Sequence, residues 1–206
     1  MKIKPEELEQ QGYLLMDNLG HRDIIPFVKK YIKTKTFYSV LYKLINVIAA
    51  FLLGIWLWKC DYYNNVSIGK GLNYLSYGIF MALALIPLHE FIHVLAYKSQ
   101  GATKTSYDAN LKKFYFMAIA DQFVANKKEF TIVALAPFTV ISAALLIMFI
   151  FSGPLFSITI LSTFLTHTAC CSGDFGLLSY FEVHRDKMIV TYDDKSNGIS
   201  YFYGKE

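Results

Sequence analysis

The chain has 206 residues, 54% of them hydrophobic and only 17% charged, against about 25% charged in an ordinary soluble domain. That balance excludes a disordered chain, a collagen-like repeat and a soluble basic binder of nucleic acid, and it fits one integral membrane bundle. The formal charge of +4 arises from cations lying between apolar runs, where membrane topology places them, so no nucleic-acid partner is expected.

Residues 1–36 are polar and carry Glu6, Glu7, Glu9, Asp17 and Asp23 ahead of the first long apolar run. This is unlike a cleaved secretory signal, and one or two cytoplasmic helices are expected there. A spanning helix needs about 20 mostly apolar residues, and four candidates follow. The first is Phe37 to Trp58, where Lys43 lies near the end and can snorkel to the headgroups. The second is Leu72 to Tyr97, the third is Phe130 to Phe151 with Pro137 inside it, and the fourth is Leu155 to Phe181. The connection between the second and third contains a β-type stretch, Lys113 to Ile119. Two more such runs, Met188 to Tyr192 and Ile199 to Tyr203, flank a loop with Asn197-Gly198, a hairpin signal.

The expected fold is therefore an all-α membrane bundle of four transmembrane helices over residues 37–181. It carries a β-type loop between the second and third helices and a short C-terminal hairpin in a cytoplasmic tail, residues 182–206. Lys and Arg number seven before the first span, then two, six and none in the three connections, and four in the tail. This alternation places both termini in the cytoplasm and the protein in the cell membrane, with the lipid bilayer as its surroundings.

The second span contains His89-Glu90-Phe91-Ile92-His93. Two histidines four apart share one helical face, so both imidazoles can reach one metal ion. Glu90, rotated about 100° from His89, sits beside such an ion and can take a proton from water. The chain's own composition gives about 0.004 such matches by chance. Ionisable groups inside an apolar span also persist mainly where they serve a pathway, a pair or a metal. A catalytic zinc needs a third protein ligand, and Asp174 is the one carboxylate within the spans besides Glu90. His167 lies seven residues earlier on nearly the same face and suits a supporting role in the reaction. Gly173 would let the backbone approach the metal.

The three cysteines, Cys60, Cys170 and Cys171, form no disulfide framework and no thiolate zinc motif. Adjacent cysteines on a helix diverge by about 100°, so Cys170 and Cys171 read as small buried residues that ease helix contact. His21 and His184 fall outside the spans and read as surface residues.

These motifs resemble the site-two protease class of intramembrane zinc metalloproteases and, more closely, a bacterial family of zincin membrane peptidases. The resemblance runs from about Leu72 to Tyr203. It is carried by His89-Glu90-Phe91-Ile92-His93, Gly101, Ala136-Pro137, Gly173-Asp174 and the C-terminal hairpin with Gly198-Ile199. It implies a metalloendopeptidase with zinc on His89, His93 and Asp174, Glu90 as general base, and a membrane protein or peptide as substrate. Site-two proteases carry an Asn-x-x-Pro element before the aspartate and a glycine after it. Here His167 to Ser172 precede Asp174 and Phe175 follows, which leaves the oxyanion role unassigned, with His167 as a candidate for it. By analogy the segment from Phe114 to Ile119 would pair with an extended substrate strand. The rival readings are a non-catalytic metal-binding membrane protein, such as a sensor or immunity factor, and an ion transporter. The first has no use for a glutamate placed as a base, and the second is weakened by the lack of an internal repeat.

Overall fold

A computed structural model describes residues 2–64, 66–110 and 115–206. Lys113 and Phe114, at the start of the expected β-type stretch, lie outside the described residues. The fold is mostly helical, at 64%, with β-structure beside the helices. In chain order the strands are β1 (Leu14–Gly20), β2 (Thr105–Asn110), β3 (Tyr115–Ala120), β4 (Ala125–Asn126), β5 (Met188–Asp194) and β6 (Ile199–Lys205). The helices are α1 (Ile24–Ile32), α2 (Phe37–Asn64), α3 (Ile68–Ala84), α4 (Ile86–Ser99), α5 (Lys127–Ile150), α6 (Pro154–Cys170) and α7 (Ser172–Val183).

Among the described residues, three helical stretches are long and apolar enough to cross a membrane: Phe37–Tyr63, Ile68–Ser99 and Lys127–Ile150. A fourth counts if the bent pair α6 and α7 is one broken span. The second expected span is thus two helices. Leu85 sits at the junction, and Pro87 in the first turn of α4 supplies the reason. Its ring clashes with a carbonyl one turn back and disfavours helical backbone just before it. The fourth is interrupted too, without a proline, at Cys171, whose backbone leaves the helical region at φ −69 and ψ 6.

The chain divides into two compact units. One comprises Met1–Ser39, Glu90–Pro137 and Gly173–Glu206, the other Val40–His89 and Phe138–Ser172. In the first, β1, β6, β5 and β4 form an antiparallel sheet in that order, and β2 pairs with β3 in a separate ribbon. This corrects the all-α expectation. The C-terminal hairpin is present, but an isolated two-stranded hairpin is marginal in water. It is widened by β1 on one edge and β4 on the other. The N-terminal segment contains an expected helix, α1, and also supplies β1 from a short apolar run, burying Leu19.

The core of this unit is aromatic. Tyr180 on α7 is fully buried, with its ring 4.7 Å from Phe202, 5.0 Å from Tyr31 and 5.3 Å from Phe27. Its hydroxyl donates to Asp17 at 2.9 Å. Gly176 lets α1 come close, since a Cβ there would lie 2.8 Å from Val28 Cγ1. His21, expected on the surface, is only 3% exposed, and its Nδ1 lies 3.1 Å from Asp108. Asp193 is half-buried close by, and the loss of solvent pushes its carboxyl above the ordinary carboxylate range, while the Ser200 hydroxyl and the His21 imidazole oppose that rise. A Cβ added at Gly173 would meet no protein atom within 4 Å.

In the second unit α3 packs along α6. Gly78 is the close-contact point, where an added Cβ would fall 2.4 Å from Ser162 Cβ and 2.5 Å from the Thr159 carbonyl. Three α6 hydroxyls bond carbonyls of α3: Thr159 to Tyr74 at 2.9 Å, Ser162 to Leu75 at 2.8 Å and Thr163 to Gly78 at 3.2 Å. Small residues and interhelical hydrogen bonds are how apolar helices associate where water does not drive them together. On α2, Val40, Leu44, Val47 and Phe51 recur at helical spacing, each more than half exposed. An apolar face of that length is what lipid solvates.

Candidate metal centre

Helix α4 carries the His-Glu-x-x-His motif, and its first turn is fixed by the Pro87 break. Within this helix the ligand atoms of His89, Glu90 and His93 lie within 4.8 Å of one another, as a metal site on one helix requires.

His93 is buried, and both its nitrogens are accounted for. Nδ1 lies 2.9 Å from the Val133 carbonyl, which can only accept, so Nδ1 carries the proton. That carbonyl is available to it for a covalent reason. Its helical donor would be the N–H of residue 137, and residue 137 is proline, which has none. The other nitrogen, Nε2, lies 3.2 Å from Asp174 Oδ1. A neutral imidazole protonated at Nδ1 presents a lone pair from Nε2. A lone pair and a carboxylate oxygen at that separation repel unless a cation, proton or metal, lies between them. Asp174 stands in the first turn of α7, where the positive end of the helix dipole favours its charge. The donor set therefore fits a zinc ion, with a histidine oriented by a backbone carbonyl and a carboxylate converging on its other nitrogen.

Glu90 is oriented by main chain. Its Oε2 accepts the Ala118 N–H of β3 at 2.8 Å. The Ala120 N–H, two residues on and on the same edge, is taken by the Asp193 carboxylate.

The remaining predicted residue, His167, is 2% exposed on α6. Its Nε2 lies 3.2 Å from His89 Nδ1 and 4.0 Å from Cys171 Sγ. Cys171 is buried, as expected, but Cys170 is exposed and so is not the buried packing residue the sequence suggests. Sequence reasoning misses the Val133 carbonyl, the Ala118 amide and Cys171 as neighbours of the site. Pro137, four residues after Val133, and Cys171, four after His167, are the readable signals for two of them. The Ala118 contact has no sequence signal.

Neither the curated proteins nor the solved structures include a match to this chain. A family model described as "Putative zincin peptidase" matches residues 82–187, half of the chain, and takes in the motif helix, β2, β3, α5 and Asp174. The chain belongs to this zincin peptidase family.

Proposed function

We propose that this chain is a membrane-embedded zinc metallopeptidase in which His89, His93 and Asp174 hold the metal and Glu90 is the general base. The observation that carries the reading is the His93 Nε2 to Asp174 Oδ1 approach of 3.2 Å, made by an imidazole whose proton is committed to Val133. A zinc ion held by these residues would supply the Lewis acidity that acidifies water and polarises a carbonyl. Glu90, held by the Ala118 amide, takes the proton that the attacking water loses and hands it to the leaving amine.

The exposed apolar face of α2 and the helices long enough to span support a place in the cell membrane, with both termini in the cytoplasm by the distribution of Lys and Arg. The substrate is a membrane protein or peptide presented in extended form. On β3 the outward N–H groups of Ala118 and Ala120 are already committed to Glu90 and Asp193, so an extended peptide would join the ribbon along β2.

The test uses purified protein in liposomes with a panel of synthetic apolar peptides, cleavage being read by mass spectrometry. Chelation is expected to abolish cleavage, and added zinc to restore it in the wild type but not in His93→Ala or Asp174→Ala. Cleavage that survives chelation, or that zinc restores equally in these variants, overturns the reading.

A further inference from the structure

The second unit brings together three metal-capable groups that the peptidase reading does not use as a set. His89 Nδ1 and His167 Nε2 are 3.2 Å apart, Cys171 Sγ is 4.0 Å from the same His167 nitrogen, and all three donor atoms fall within 4.8 Å of one another. His167 and Cys171 are 2% and 0% exposed. Zinc–nitrogen bonds of about 2.0–2.1 Å and a zinc–sulfur bond of about 2.3 Å set tetrahedral edges of about 3.3 Å between nitrogens and about 3.6 Å from nitrogen to sulfur. The 3.2 Å and 4.0 Å separations at His167 lie within about 0.4 Å of those edges.

We propose that His89, His167 and Cys171 form a second, thiolate-containing metal position for a borderline or soft divalent ion such as zinc. Two imidazoles at 3.2 Å would by themselves be read as a hydrogen bond; the Cys171 sulfur, whose thiol donates to the His167 carbonyl at 3.3 Å and which lies 4.0 Å from the same His167 nitrogen, supplies the third ligand. Sulfur also gives the position a preference that the carboxylate set lacks, toward zinc, cobalt or cadmium and against magnesium or calcium. On binding, the Cys171 thiol loses its proton to water and the sulfur coordinates as thiolate. Cys170 is exposed and takes no part. His89 also belongs to the proposed peptidase ligand set. His167 is thereby a ligand here, in place of the reaction-supporting role its sequence position suggests.

The proposal stands apart from the peptidase reading and is tested where that reading cannot contribute. The full-length protein carrying Asp174→Asn, purified in detergent, is titrated with Co2+ alone. The strong near-ultraviolet thiolate-to-cobalt charge-transfer band is expected to appear and saturate. Adding Cys171→Ser or His167→Ala should abolish it, and adding Cys170→Ser should leave it unchanged. In the wild-type protein loaded with excess zinc and then desalted, X-ray absorption should show a sulfur scatterer at about 2.3 Å. No band in Asp174→Asn, a band that survives Cys171→Ser, or a zinc shell of nitrogen and oxygen only would overturn the proposal. None of those results bears on whether His93 and Asp174 support hydrolysis.

Discussion

Glu90→Gln is expected to reduce peptide cleavage by about 10²–10⁴-fold, the usual contribution of a positioned general base, without disturbing the protein around it. Glutamine keeps the size of glutamate and an oxygen able to accept the Ala118 N–H now bonded at 2.8 Å, so the side chain should hold its place. What it lacks is the ability to take a proton. The comparison is therefore between two proteins with the same zinc content by elemental analysis and the same thermal unfolding midpoint, differing only in turnover. A Gln variant that cleaves at the wild-type rate, in preparations free of contaminating protease, would remove Glu90 from the chemistry. It would favour a metal-binding membrane protein without catalysis.

The second large effect concerns stability. Tyr180→Ala removes a fully buried ring packed among Phe27, Tyr31 and Phe202, and should cost about 3–5 kcal/mol, the range for deleting a large aromatic side chain from a core. Tyr180→Phe keeps the ring and loses only the bond to Asp17, for about 1 kcal/mol. Thermal unfolding in detergent separates the two. Equal midpoints for the Ala and Phe variants would mean that the ring contacts are not what holds the aromatic core. The loss should reach the metal as well, because Tyr180 anchors the helix that presents Asp174 six residues earlier.

Ionisable residues in an apolar span are conspicuous, so His89, Glu90, His93 and Asp174 stand out in the sequence by type and spacing, and with them much of the candidate site. The elements that escape a sequence reading are those set by distant partners. β1 and β4 exist because the edges of the β5–β6 hairpin need covering, a requirement that no local pattern of Leu14 to Gly20 or Ala125–Asn126 expresses. His21 is buried by tertiary packing in a stretch whose composition reads as surface. The break at Leu85 is signalled by Pro87, yet the apolar run continues across it and so reads as a single span. Cys170 and Cys171 read as a pair, but the chain turns between α6 and α7 and sends them to different surroundings.

Pro137 sets helix strength and histidine chemistry against each other. Judged only as a helix, α5 would gain from Pro137→Ala by up to about 3 kcal/mol. The alanine, however, brings an amide hydrogen that the Val133 carbonyl has lacked, and that hydrogen competes with His93 for the same acceptor. An imidazole released from this constraint can exchange tautomers and turn its lone pair away from Asp174. The variant should therefore melt at a higher temperature and yet need about 10–100-fold more zinc to recover cleavage after chelation, the usual cost of losing a partner that orients a ligand. A screen that rewards thermal stability alone would select this substitution and produce a sturdier protein with a poorer enzyme inside it.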